Sequence, residues 1–489
     1  MRLMTCIYSL LLTFWFAQLT LGLNSTSPSG NSSSLIQSQY NSRNFHYKGV
    51  ALGGWLILEP YITPSLFLEF NKTSGKDSDI PIDEHAYCKK LGYKEAKNRL
   101  TKHWDTFYNE SDFAQIKEYG LNMVRIPIGY WAFEKLENDS YVPGAEKYLD
   151  QAIEWAYKYN LKVWVDLHGL PGSQNGFDNS GLRSLDYPGW FNRTEHVDLS
   201  HRVLNKIYSK YGGHNMSTEY KDTILGIEVV NEPLGPKLSM KKVKKFYEDS
   251  YGNARKIQAV NNTIVFHDAF QLMGYWNKFL SYSGNKTNST IDNYNILVDH
   301  HHYEVFSLGA LNLTIDGHLL SIKSLSSSIK DENKHHPAVV GEWLAALTDC
   351  TPWLNGVGIG TRFEGTSPYT NDKIGTCDDI NTWGKWSKEQ KKNYRKFVEM
   401  QLDQYSSKMN GWIFWCFKTE TSIEWDFKRL VHFDLMPQPL DDRKYIVNGT
   451  DTDEGDDKKS IASTTRHRNI WLLLVTFGLQ LVNVLSDQY

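Results

Sequence analysis

Short apolar runs recur along the chain at 49–55, 123–130, 162–168, 223–231, 263–269, 296–302, 338–343 and 411–417. Each is short, bounded by polar or turn-forming residues and rich in Val, Ile and aromatic side chains, which predicts buried β-strands. The intervening segments 145–159, 240–259 and 388–405 carry apolar residues at helical spacing. Strands that alternate with helices imply βαβ units and a parallel sheet. Eight such units between residues 45 and 447 predict an α/β fold, a (β/α)8 TIM barrel with long βα loops, rather than an open doubly wound sheet.

The two ends break this pattern. Arg2 precedes an apolar stretch over 3–21 that stops near Gly22, so 1–22 reads as a signal peptide. Residues 23–44 are rich in Ser and Asn and predict a flexible lead to the catalytic domain, 45–447. A charged polar linker, 448–469, holds the small residues Ser460, Ala462 and Ser463. An apolar tail follows over 470–489. That order resembles a GPI-attachment signal, with a membrane anchor as the alternative. Asn24, Asn31, Asn71, Asn109, Asn138, Asn192, Asn215, Asn261, Asn285, Asn288, Asn312 and Asn448 each begin an Asn-X-Ser/Thr sequon, in keeping with a secreted, cell-surface glycoprotein.

A formal charge of −3 over 489 residues gives no reason to expect a nucleic-acid partner. Aromatic residues make up 13% of the chain; most belong in a core this large, which leaves some to stack on sugars. Cys6 falls within the leader. Cys88, Cys350, Cys377 and Cys416 allow three full pairings, among which the sequence does not choose. Cys350 and Cys377 share one loop-rich stretch and are the preferred pair; Cys416, inside an apolar run, is expected as a buried thiol.

Chemistry enters with two carboxylates. Asn231-Glu232-Pro233 closes the fourth run and Glu342 the seventh. Catalytic groups of (β/α)8 barrels stand at the C-terminal ends of different strands, and glycoside hydrolysis needs two carboxyl groups flanking the scissile bond. Asn231 would set an amide near the sugar 2-hydroxyl. His168 ends the third run, and His300, His301 and His302 end the sixth. Alternation along a strand points neighbours to opposite faces, which argues against a metal site and for one or two imidazoles that orient a carboxylate or the sugar. Arg125 interrupts an apolar run and needs a buried anionic partner. Trp415 ends the eighth run, and Phe177 and Phe306 lie on loops after the third and sixth, where rings could clamp a sugar. No cofactor and no metal is expected.

Several motifs together resemble the fungal exo-β-1,3-glucanases of glycoside hydrolase family 5. They are Leu52-Gly53-Gly54-Trp55-Leu56 with Glu59-Pro60, Val124-Arg125-Ile126-Pro127, Asp166-Leu167-His168-Gly169, Asn231-Glu232-Pro233, Asp299-His300-His301-His302-Tyr303, Gly341-Glu342-Trp343 and Trp415. The resemblance covers about residues 45 to 445. It implies a retaining mechanism with Glu232 as acid/base and Glu342 as nucleophile. It implies a terminal-sugar site lined by Arg125, His168, Asn231, His301, Tyr303 and Trp415. Glu59 would close the pocket, and Phe177 and Phe306 would clamp its entrance. Cys416-Phe417 departs from the family's pattern beside Trp415, and the tail after Asn448 resembles the anchored branch. The implied function is release of β-glucose from non-reducing ends of cell-wall β-1,3-glucan by a monomer whose partner is the polysaccharide. A β-glucan transglucosylase, or a glucanase of β-1,6 or β-1,4 linkage, would use the same residues. On this reading Arg125 lowers the pKa of Glu342, whose charge in turn raises that of Glu232.

Overall fold

Every one of the eight apolar runs overlaps a parallel strand: β1 (Tyr47–Ala51), β2 (Met123–Gly129), β3 (Lys162–Gly169), β4 (Ile224–Glu228), β5 (Thr263–His267), β6 (Ile296–His302), β7 (Ala338–Trp343) and β8 (Gly411–Phe414). The computed structural model describes residues 44–184, 188–212, 217–280 and 295–452. The strands pair in chain order, and β8 returns to β1 with Tyr47 opposite Gly411, closing the barrel. All seven residues of β2 are buried, as expected where helices cover one sheet face and side chains fill the interior on the other.

The predicted helical segments form α1 (Glu146–Lys158), α2 (Met240–Gly252) and α4 (Lys388–Lys408); α3 (Ile315–Glu332) lies between the last two. In α1 the buried residues Tyr148, Leu149, Ala152, Ile153 and Ala156 make one stripe at helical spacing, turned to the sheet. The predicted second segment ran to residue 259; α2 stops at Gly252 and passes into a wider π turn over Asn253–Ile257. Ser387 caps α4, its side chain accepting from the Gln390 amide.

One register shift matters for the site. It falls between His300 and His301 in the β6–β7 ladder, a bulge that re-aims the side chains at the end of β6. Opposite it, Gly341 is obligatory: a Cβ there would meet the Asp299 carboxylate at 2.0 Å.

The expected linker opens on structure. Ile446–Val447 and Thr450–Asp451 pair as a hairpin against α4. Glu399 of α4 accepts from the amides of Lys444, Tyr445 and Ile446, and Lys396 bonds Asp451. The leader, most of the Ser/Asn-rich lead, the linker beyond 452, the apolar tail and the sequons at Asn24, Asn31, Asn215, Asn285 and Asn288 lie outside the described residues. Among the described residues no helix is long and apolar enough to cross a membrane.

Candidate active site

The two carboxylates meet at the C-terminal mouth of the barrel. Past the last paired residue of β4 the Asn231 amide is bonded to the Leu167 carbonyl of β3 at 3.1 Å. Glu232 then turns to φ +45°, a conformation costly for a non-glycine residue and typical of functional positions. Glu342 projects from the end of β7. His301 joins the two: its Nδ1 lies 2.8 Å from Glu232 Oε1 and 3.3 Å from Glu342 Oε2. Atoms that close to one nitrogen cannot be separated by the ~6.5–9.5 Å of an inverting pair.

Beneath them Arg125 occupies the barrel axis, fully buried. Its Nη1 donates to Glu342 Oε1, its Nη2 to Asn231 Oδ1 at 2.8 Å, and its Nε and Nη2 to Glu228 at 3.0 and 2.9 Å. Asp166 lies 3.1 Å from Nη2 and also binds His168 Nδ1 at 2.7 Å. This answers the expectation that Arg125 has an anionic partner: three carboxyl groups, of Asp166, Glu228 and Glu342, surround it. Tyr303 donates its hydroxyl to Glu342 Oε2. Both oxygens of Glu342 are therefore held, which aims the carboxylate.

The protonation pattern departs from the sequence-based expectation. Burial alone would strip His301 of its proton, but the charges of Glu342 and Asp299 hold its pKa well above the ordinary value. Both ring nitrogens then donate, Nε2 to Asp299 Oδ2 at 3.2 Å. Burial raises Glu232, yet the hydrogen bond and charge of His301 outweigh it and bring that carboxyl below the usual range. Burial keeps Glu342 raised against the pull of His301 and Arg125. The expected order, a raised Glu232 and a depressed Glu342, is reversed because His301 stands nearer to Glu232 than to Glu342. Glu228, buried between Asp166 and Arg125, is held well above the carboxylate range by burial.

A cavity of about 350 Å³ opens above these groups. Glu59, Trp415, Phe177, Phe306, Tyr303, His301, Glu232 and Glu342 line it, whereas the predicted Arg125, His168 and Asn231 are fully buried and do not line it. Glu59 is buried and accepts the Gly54 amide at 3.1 Å. One face of Trp415 is covered by the ring of His168, with centroids 5.4 Å apart and planes within 10°. His300 does not line the cavity and bonds Asp268, while His302 bonds Tyr405 and lines the cavity wall. Cys350 and Cys377 form a disulfide, while Cys88 and Cys416 are buried thiols.

The pattern of the family described as Cellulase (glycosyl hydrolase family 5) matches residues 88–351. The chain belongs to glycosyl hydrolase family 5. It is 56% identical over 442 residues to Glucan 1,3-beta-glucosidase 2 of Candida albicans, covering 88% of this chain and 90% of that protein. It is 48% identical over 419 residues to the sporulation-specific glucan 1,3-beta-glucosidase of Saccharomyces cerevisiae, covering 84% and 89%. In fold it is similar to the crystal structure of rutinosidase from Aspergillus niger, with TM-score 0.59 at 19% identity over 81% of this chain and 99% of that one.

Sequence reasoning missed several residues of this family 5 site. Asn179 donates to Glu232 Oε2 at 3.1 Å, and Trp425 stacks on Tyr303 with centroids 5.7 Å apart. Both reach the site from loops, where no periodicity marks them. Glu228 and Asp299 did leave a signal, a charge within an apolar run. They also bring acids close to His301. Glu228, Asp299 and His301 bring ligand atoms within 4.8 Å of one another, as do Glu232, His267 and His301. Arg125 and the imidazolium of His301 already supply the cations there.

Proposed function

We propose that the protein is a retaining, exo-acting glucan 1,3-β-glucosidase that releases β-glucose from the non-reducing ends of cell-wall β-1,3-glucan. One observation supports this reading: a single imidazole touches both carboxylates, so their facing oxygens stand closer than the ~6.5–9.5 Å of an inverting pair. The names of the relatives support the linkage.

Glu342, held by Arg125 and Tyr303, attacks the anomeric carbon. As the glycosidic C–O bond breaks, the departing oxygen takes a proton from Glu232. That proton is shared along the Glu232–His301 hydrogen bond, so His301 stores it while the site is empty and Glu232 delivers it. Water then gives a proton back to Glu232, attacks the glucosyl–Glu342 ester and releases β-glucose. Asn231, fixed by Arg125, faces the 2-hydroxyl. Glu59 and Trp415 close the far end of the cavity, which favours chain ends over internal bonds. Phe177 and Phe306 flank the leaving sugar. The same reading has the chain exported to the wall and tethered by its C-terminal segment.

The test is laminarin with the purified protein, products followed by chromatography and anomeric NMR. Early β-glucose as the sole small product supports the retaining, exo-acting reading. Initial α-glucose would refute retention, and a ladder of oligosaccharides would refute the exo mode or point to transfer onto sugar acceptors.

A further inference from the structure

His301 has a second side. Its Nδ1 faces Glu232, while its Nε2 donates to Asp299 Oδ2 at 3.2 Å. Asp299 stands two residues earlier on β6, is fully buried and does not line the cavity. A carboxylate taken out of water is tolerated when it is paired and its oxygens are hydrogen-bonded. Asp299 meets that condition in part: its other oxygen, Oδ1, makes no hydrogen bond among the described residues. The fold nevertheless makes room for the group. A Cβ on Gly341 would stand 2.0 Å from Asp299 Oδ1 and 2.4 Å from Oδ2, so the carboxylate is seated on the glycine that precedes the nucleophile. A buried anion with one oxygen unbonded is a poor packing element. The contact it does make is to the ring that touches both catalytic candidates.

We propose that Asp299 is a positioning residue for glycoside cleavage: it fixes the His301 ring with both nitrogens protonated, so that Nδ1–H meets Glu232. The inference rests on the proposed function, because it concerns the proton that Glu232 delivers. With the carboxylate in place, the ring donates one N–H to Asp299 and the other to Glu232. An amide at position 299 would still accept from Nε2, so the ring would keep its place. A neutral ring with its proton on Nε2, however, turns a bare lone pair on Nδ1 toward Glu232. Glu232 would then have to carry the proton of that bond itself. The other groups that face the pair are Tyr47 of β1, Arg125 of β2, Glu228 of β4, His267 of β5, Glu342 of β7 and Tyr247 of α2. Burial keeps His267 neutral. Arg125 is a cation, but it is shared by Asp166, Glu228 and Glu342. His301 is the cation that Asp299 bonds.

The experiment records kcat/KM against pH on laminaritriose for wild type, Asp299→Asn, His301→Asn and the double variant. Loss of the Asp299 charge by itself would lower the carboxyl pKa values and move the profile to lower pH; loss of the His301 charge raises them. His301 touches both carboxylates, so Asp299→Asn should move both limbs to higher pH, by about half a unit. KM should stay within about twofold, since Asp299 does not line the cavity. In the His301→Asn background the same change should bring no further rise. Gly341→Ala, whose methyl group displaces the carboxylate without removing a charge, should shift the profile in the same direction. Nitrogen NMR of the wild-type His301 ring, assigned by its loss in His301→Asn, should show both nitrogens protonated at neutral pH, whether or not the variants fold. A neutral ring, an unmoved profile in a folded Asp299→Asn, a shift to lower pH, or a rise that adds in full to that of His301→Asn would each overturn the role of Asp299 while wild type still cleaves laminaritriose. Inactivity of wild type would overturn the proposed function with it.

Discussion

The imidazole Nδ1 of His301 stands 2.8 Å from Oε1 of Glu232 and donates to it. This contact sets the pH dependence. His301 lowers the pKa of Glu232 and also pulls down that of Glu342. With Glu232 below Glu342, the acid limb of kcat/KM breaks at the pKa of Glu232 and the basic limb at that of Glu342. Replacing His301 with Asn removes a cation from both, so both limbs should move to higher pH, by about one unit. A variant whose rate falls with an unmoved profile would reduce His301 to a packing role.

Arg125 predicts a different split. Arg125→Ala leaves Asp166, Glu228 and Glu342 without their shared cation in a fully buried layer, and uncompensated buried charge costs about 3–5 kcal/mol. It should melt earlier or fail to fold. Arg125→Lys keeps the charge but loses the fork that reaches Glu342, Asn231 and Glu228 together. It should fold, with kcat reduced about a hundredfold and KM little changed. A lysine variant with wild-type kcat would mean that charge alone, without bidentate placement, positions the nucleophile.

The strands were legible because both faces of a parallel barrel are covered, so each run is apolar throughout and its ends are marked by polar residues. Glu232 and Glu342 were legible for the same reason: each is the first acid after or at the end of such a run. Glu228 interrupts the run 223–231 as Arg125 interrupts 123–130, and reading both interruptions together would have paired them. Asn179 and Trp425 depend on how loops fold back over the mouth, which no local pattern encodes. The charge order of the two catalytic candidates was misread because the distance from His301 to each carboxylate is a tertiary quantity.

Glycan occupancy should follow exposure. Asn109, Asn138 and Asn192 are exposed. In the sequon at Asn261, by contrast, Thr263 is the fully buried first residue of β5 and Asn262 donates its side-chain amide to the Ile224 carbonyl. Enzymatic deglycosylation in heavy-oxygen water, followed by peptide mapping of secreted protein, should label the first three asparagines and leave Asn261 unlabelled. Full labelling at Asn261 in active protein would show that exposure in the folded chain does not govern occupancy here.

The Cys350–Cys377 disulfide bounds a loop that carries Leu354, Asn355, Ile359 and Tyr369 to the cavity wall. With the cysteines 27 positions apart, the closed loop stabilises the fold by about 3.5 kcal/mol through chain entropy. The barrel strands do not depend on it, because β7 ends before Cys350 and β8 begins well after Cys377. A Cys350→Ser/Cys377→Ser variant should therefore lose stability without losing the barrel. Its effect on catalysis should depend on how far the substrate reaches. The carboxylates, Arg125 and His301 lie on barrel strands or at their tips, so a small aryl β-glucoside should be cleaved within about twofold of the wild-type rate. A longer laminari-oligosaccharide extends to the wall that the loop builds, so its KM should rise several-fold while kcat holds. Equal losses on both substrates would mean that the loop supports the catalytic groups themselves, and unchanged KM on the long substrate would remove this loop from the sugar-binding surface.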